Sequence, residues 1–236
     1  MVKLELELVE KDYEHIKKDF QEKPHSLVAR EIADEMPEHA EKIYTSFLFL
    51  LGAFRGKLRK DKMTPLEFHS LYLSRMLYNC GEKGLDQLLT AAFHDVLEDT
   101  EVTEEVLRGG ILRDRKHIIP YIKMLTLNPN LSAYAPMTGD GRVLPPIFED
   151  HLKRMTGGPV EVINTELVDR FSELMDLYYL TKVPNGERII RLDSKFKKVR
   201  VYADTLIKGR SDYNQNAANL LYEKLRNVEN SLKSMK

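Results

Sequence analysis

The segment His94-Asp95-Val96-Leu97-Glu98-Asp99 poses the chemical question in this chain. Leu88, Leu89, Ala91, Ala92 and Phe93 precede it, and their pattern predicts a buried helix that delivers the cluster into an interior. An adjacent His and Asp can offer a nitrogen and an oxygen to one metal ion. Glu98 follows His94 by four residues and Asp99 follows Asp95 by four, a spacing that stacks side chains one helical turn apart. The pattern is a metal platform with carboxylates over its open side. Ionisable groups beside an apolar segment are costly without partners, and a cation is the natural partner. Without further ligands, the same residues would read as a helix-end ion pair followed by a solvated acidic face.

A divalent metal takes ligands from separate elements, and two more candidates stand elsewhere in the chain. His69 lies 25 positions before His94 on the preceding predicted helix. Two antiparallel helices joined by a short turn can bring such residues together. Asp169, in Glu166-Leu167-Val168-Asp169-Arg170, lies on a later amphipathic helix. The set His69, His94, Asp95 and Asp169 offers two imidazoles and two carboxylates, which suits Mn²⁺, Fe²⁺ or Zn²⁺ better than a thiolate-seeking metal.

The elements that must position these residues read as helices throughout, apart from Leu4 to Val9, whose alternation admits a strand. Short helices fit 12–22 and 26–36, ended by Pro24 and Pro37, and a longer one fits 38–58. After a polar loop at 59–63, Thr64-Pro65-Leu66-Glu67 has the pattern of a helix start: Thr64 can cap, Pro65 suits the first turn and Glu67 completes a capping box. Gly81 and Gly84 bracket the turn into one continuous helix over 85–98. Thr103 caps a short helix ending near Gly109-Gly110, and another spans 114–126. Residues 127–146 form the main loop, rich in Pro, Gly and Asn, of a length often found in lids and binding loops. Helices then fit 147–156, 160–182, 187–208 and 213–235. The expected fold class is all-α, with residues 1–37 as an N-terminal helical extension and 38–236 as one domain.

Composition narrows the function classes. The chain has 236 residues, a net charge of -1, 31% charged and 42% hydrophobic residues, so it reads as globular, with ample length for a core. The balanced charge gives no support to nucleic-acid binding driven by a basic surface. The longest apolar run, Phe47 to Phe54, is too short to span a bilayer, and the acidic start does not resemble a signal peptide. A single cysteine, Cys80, excludes an intrachain disulfide and favours a cytoplasmic setting; beside Gly81 it reads as a packing residue. His15, His25, His39, His117 and His151 have no evident partners in the sequence and are expected at the surface.

The motifs together resemble the HD phosphohydrolase superfamily, and more narrowly the (p)ppGpp hydrolase domain of the RelA/SpoT enzymes and the small alarmone hydrolases of the metazoan SpoT homologue type. Arg59-Lys60-Asp61, Thr64-Pro65 and His69 are similar to that family's Arg-Lys, Pro and His segment. Ala91-Ala92-Phe93-His94-Asp95-Val96-Leu97-Glu98-Asp99-Thr100 is close to its AALLHDVVEDT. Leu167-Val168-Asp169-Arg170 resembles its LADR, and Val201-Tyr202-Ala203 its IYA. The likeness runs over residues 40–208. It implies an HD-domain helical bundle in which His69, His94, Asp95 and Asp169 hold one Mn²⁺ or another divalent metal. Glu98 and Asp99 would orient and activate the attacking water, and Arg59 and Lys60 would bind a guanosine nucleotide. The implied reaction removes the 3′-pyrophosphate of (p)ppGpp to give GDP or GTP and pyrophosphate. Relative to the family's pattern, Ser70 replaces a Pro, Glu166 a Lys, and Glu173 the Asn at the nucleotide position. An anion at position 173 is unfavourable near phosphate unless it faces away or pairs with Lys or Arg. Two other expectations stay open: an HD enzyme acting on a nucleoside monophosphate, a dNTP or NADPH, and a catalytically silent nucleotide-binding module. No nucleic-acid or membrane partner is expected.

Overall fold

The computed structural model describes residues 5–59, 64–131, 144–176 and 185–235. Lys60, much of the main loop expected at 127–146 and the end of the helix expected at 160–182 lie outside them. The described residues are helical, with one isolated antiparallel bridge between Leu58 and Pro65, so the all-α class holds. None of the described helices is long and apolar enough to cross a membrane. The chain divides into two compact units, 1–126 and 127–236.

In the first unit, α1 spans Leu6–Glu22. Leu6, Val9, Tyr13, Ile16 and Phe20 recur every three or four positions, and this stripe is buried. The alternation at Leu4 to Val9 therefore resolves as helix from Leu6 onward, because the 3.6-residue stripe over the longer segment outweighs a few alternating positions. Pro24 precedes α2 (His25–Asp34), and Met36 and Pro37 lead to α3 (Ala40–Ala53), which ends short of the expected residue 58. α4 covers Leu66–Asn79 and α5 Leu85–Phe93. α4 is buried on nearly every side from Glu67 to Leu77 and packs against α1, α2, α3 and α5, which makes it the axis of this unit. The expected helix over 85–98 breaks after Phe93, and a separate turn, α6, covers Val96–Asp99. α7 (Glu104–Gly109) is capped as expected, the Thr103 hydroxyl accepting from the Val106 amide at 3.4 Å. A 3-10 turn at Lys116–Ile118 leads into α8 (Ile119–Leu125).

An aromatic cluster seats α1 on α4. Tyr13 meets Phe68 and Tyr72 edge-on, with centroids 5.1 and 4.9 Å apart, and Phe20 meets Phe68 at 5.7 Å. Such pairs contribute about 0.5–1.5 kcal/mol each beyond the area they bury. Arg75 on α4 adds a fork: it donates to Asp12 of α1 at 2.6 Å and, through two nitrogens, to Glu35 just beyond α2 at 2.6 and 2.9 Å. The capping box expected at Thr64 and Glu67 does not form. Pro65 is the N-cap, and Glu67 instead faces His25, whose Nδ1 lies 2.8 Å from its Oε1. Of the histidines expected at the surface without partners, His117 is exposed but pairs with Asp86 at 2.7 Å, while half-buried His25 also reaches the Phe20 carbonyl at 3.0 Å and half-buried His39 meets the Lys83 carbonyl at 3.0 Å. Cys80 is buried, and burial followed by nearby Glu82 pushes its thiol up to about 12, consistent with packing rather than nucleophilic chemistry.

The second unit is built from α9 (Pro146–Thr156), α10 (Val160–Asp176), α11 (Asn185–Ile207) and α12 (Gln215–Met235), with α10 packed against the other three. A buried ionic network joins α10 to α11. Arg170 contacts Asp169, Glu173 and, at 2.8 Å, Glu166, and its guanidinium lies over the Tyr202 ring at 5.1 Å. Glu173 also accepts from Lys198 at 2.7 Å, with Lys195 at 3.7 Å. Three carboxylates thus face three cations, so burial is offset by pairing. Tyr202 donates to the Phe148 carbonyl at 3.0 Å, and its hydroxyl lies 3.2 Å from Nδ1 of His151, which is 3% exposed and so not at the surface as expected. Burial raises the Glu173 pKa, but Arg170, Lys198 and Lys195 outweigh it and hold the carboxyl at about 2.

Two predictions arise from this packing. Phe20→Ala, which empties the far end of the aromatic cluster, should cost about 3–5 kcal/mol of stability in denaturant unfolding, a scale typical of phenylalanine truncation in a core; a cost within ~0.5 kcal/mol would show that α1 does not depend on it. Because the Glu173 pKa is depressed, its stabilisation is present above the unfolded-state value of ~4.3 and is lost as pH falls toward the folded value of about 2. The stability gap between the native chain and Glu173→Gln, of order 3 kcal/mol at neutral pH, should therefore close between about pH 5 and 2. A gap unchanged over that window would contradict the pairing.

Candidate metal centre

α4 and α5 form the wall on which the first unit's ionisable cluster stands. His69 lies on the first turn of α4, held in place by its buried neighbours Phe68 and Ser70. His94 follows the last residue of α5, and Asp95 is the N-cap of α6 with φ -93° and ψ -4°. That backbone lies in the sparsely occupied bridge region, where many active-site residues sit. It breaks the helix expected over 85–98 while keeping the four-residue relation that starts at Asp95. The amides of Glu98 and Asp99 both donate to the Asp95 carbonyl, at 3.1 and 2.8 Å. Asp95 and Asp99 are thus on one short turn, whereas His94 and Glu98 do not share a continuous helix.

The three side chains converge. The His94 and His69 Nε2 atoms lie 3.0 and 3.7 Å from Asp95 Oδ2, and the two rings are 5.0 Å apart at their centroids. One ligand atom from each of the three lies within 4.8 Å of the others. Bonds of about 2.0–2.2 Å from a metal to N and O would set neighbouring ligands about 3.0–3.6 Å apart, close to the 3.0 and 3.7 Å between the imidazole nitrogens and the Asp95 oxygen. The His94 Nδ1 sits 2.8 Å from the Ala91 carbonyl. A carbonyl can only accept, so Nδ1 carries the proton and the Nε2 lone pair faces the cluster, the tautomer a metal requires. Both imidazoles are 3% exposed, while the Asp95 side chain is 24% exposed. The donor set is therefore walled by the core behind the histidines and open on the carboxylate side. Two neutral nitrogens and one carboxylate fit a borderline divalent metal with positions left for further ligands.

The other residues singled out by the sequence are placed as follows. Glu98 is exposed and Asp99 half-buried, both on α6 directly after the cluster. Arg59 is half-buried beside the bridge between Leu58 and Pro65. Its amide donates to the Thr64 carbonyl at 2.8 Å, and the Leu66 amide donates to the Lys57 carbonyl at 3.0 Å. Lys60 lies outside the described residues. Asp169 and Glu173 stand on α10 in the second unit, both engaged by Arg170. Glu173 is not a bare anion, because Arg170 and Lys198 neutralise it. The sequence names pairing with Lys or Arg as one way for position 173 to be tolerated but does not identify the partners: Arg170 looks like one half of a surface pair, and Lys198 like one of several lysines on a polar helix face. The only sequence signal was the substitution itself, an acid where the resembling family has an amide.

Comparisons with known proteins bear on the fold. No protein-family model matches the chain, and no curated protein matches it. Among solved structures, a match is found to one described as a metazoan ortholog of SpoT that hydrolyzes ppGpp and plays a role in starvation responses. The likeness covers 79% of this chain and 94% of that one, with a TM-score of 0.61 and 21% sequence identity. This chain therefore shares the helical fold of a SpoT-type hydrolase.

Proposed function

We propose that this protein is a metal-dependent nucleotide phosphohydrolase that removes the 3′-pyrophosphate of (p)ppGpp, giving GDP or GTP and pyrophosphate. The observation that carries the reading is the donor set of buried His69 and His94 with half-buried Asp95, open on the carboxylate side and followed by two carboxylates. The fold shared with a SpoT-type hydrolase supports it, as does the motif resemblance in sequence. That resemblance adds Asp169 as a fourth ligand and Mn²⁺ as the metal.

When bound, a divalent ion lowers the pKa of water from ~15.7 toward ~7 and polarises a phosphoryl oxygen. The protein's own residues do the rest. Glu98 and Asp99, on a turn that begins at the ligand Asp95, orient the attacking water and take its proton. Arg59 and Lys60 bind the nucleotide, where the planar guanidinium of Arg59 suits phosphate oxygens or the guanine edge. Glu173, neutralised by Arg170 and Lys198, presents no free anion to repel a phosphorylated ligand.

The test is product analysis after incubating the Mn²⁺-loaded protein with ppGpp, and separately with dGTP, GMP and NADPH. GDP and pyrophosphate from ppGpp alone would support the proposal. Turnover of another substrate would keep the metal centre and discard the alarmone, and metal and nucleotide binding without turnover would favour a silent module. Asp95→Ala should lose Mn²⁺ as well as activity, read by bound metal per chain. Glu98→Ala should retain the metal while kcat falls by about 10²–10⁴-fold. A fully active Glu98→Ala would remove the central step of the mechanism.

A further inference from the structure

We infer that Lys57 is a positioning residue of the metal centre, a cross-brace between the start of α4, which carries His69, and α6, which begins at Asp95 and carries Glu98 and Asp99. The inference rests on the metal-centre reading above. Sequence reading leaves Lys57 in a basic run with Arg59, Lys60 and Lys62, where a solvated surface role is the ordinary one. Its contacts single it out. The Lys57 Nζ donates to the Asp99 carbonyl, and the Lys57 carbonyl accepts from the Leu66 amide at 3.0 Å. The Asp99 amide in turn donates to the Asp95 carbonyl at 2.8 Å. A continuous chain of hydrogen bonds thus runs from Asp95 through Asp99 and Lys57 to Leu66, one helical turn before His69.

This brace matters because α6 has only four residues. A single helical turn does not hold itself, since fixing its dihedrals costs more than its few hydrogen bonds return. Its terminal carbonyls need outside donors. Thr100 supplies one, its hydroxyl donating to the Val96 carbonyl at 2.6 Å, and Lys57 supplies another at the Asp99 carbonyl. An ammonium at a helix C-terminus is also the favourable sign of charge for that end. Buried Phe54 fixes the chain before Lys57, and Gly56, at φ 76°, makes the left-handed turn that brings Lys57 back toward α6. Lys57 therefore ties the start of α4 to the end of α6, two positions before Arg59. Lys57 is itself exposed, so changing it opens no cavity.

The unaltered chain, Lys57→Met and Lys57→Arg can be compared by three measurements. These are calorimetric titration with Mn²⁺ alone, metal-free amide exchange across residues 95–100, and thermal unfolding. Lys57→Met should bind Mn²⁺ about tenfold more weakly, the scale for losing a group that orients metal ligands. It should also speed exchange at the Asp99 amide by about threefold, as expected for a lost helix-end donor, with an unchanged melting temperature. Lys57→Arg, which keeps a cationic donor, should restore both. Exchange and affinity in Lys57→Met equal to those of the unaltered chain would overturn the brace. An unaltered chain that takes up no Mn²⁺ would instead overturn the metal-centre reading, and the metal-free exchange comparison would still decide whether Lys57 holds α6.

Discussion

Two imidazoles and a carboxylate brought together beside the α4–α5 contact are the constraint that organises the first unit. Groups of this kind are expensive to bury unless something fixes their protons and satisfies their lone pairs. Here the Ala91 carbonyl fixes the tautomer of His94, and both imidazoles converge on one Asp95 oxygen to form a group that could hold a cation. Much else in the unit follows from holding that convergence. α4 must be rigid at its first turn, and it is enclosed by α1, α2, α3 and α5. α5 must stop at Phe93 so that Asp95 can turn back toward His69.

The N-terminal helices contribute to this rigidity. Tyr13 and Phe20 pack on Phe68, the residue immediately before His69. His25 holds Glu67, the residue before that. The first turn of α4 is therefore gripped from α1 and from the start of α2, and the polar Arg75 fork to Asp12 and Glu35 fixes the other end of the same face. Helices that looked like an appendage in sequence supply the wall against which a candidate ligand is set.

The second unit solves a different problem. Glu166, Asp169 and Glu173 crowd one helix face around Arg170, and four charges in so short a span would repel water-poor surroundings if unpaired. Lys198 and Lys195 from α11 balance the count, and Tyr202 covers the guanidinium. An acid at position 173 is tolerated because its partner comes from a helix more than twenty positions further along the chain.

The sequence alone determined the helical class and singled out His69, His94 and Asp95, the three residues that the fold brings together as a group that could hold a metal ion. These depend on local periodicity and on residue chemistry, which a single chain displays directly. It also located α7 and its Thr103 cap, because capping is a contact between neighbours. It did not determine the break after Phe93, the failure of the Thr64–Glu67 capping box, the burial of His151, or the roles of Lys57 and Lys198. Each of those turns on a partner remote in sequence: Asp95 faces His69, Glu67 finds His25, His151 finds Tyr202, Lys57 finds Asp99 and Lys198 finds Glu173. Local patterns cannot reveal such partners, because a titratable or polar side chain is bound by whichever group the packing of the core brings within about 3 Å.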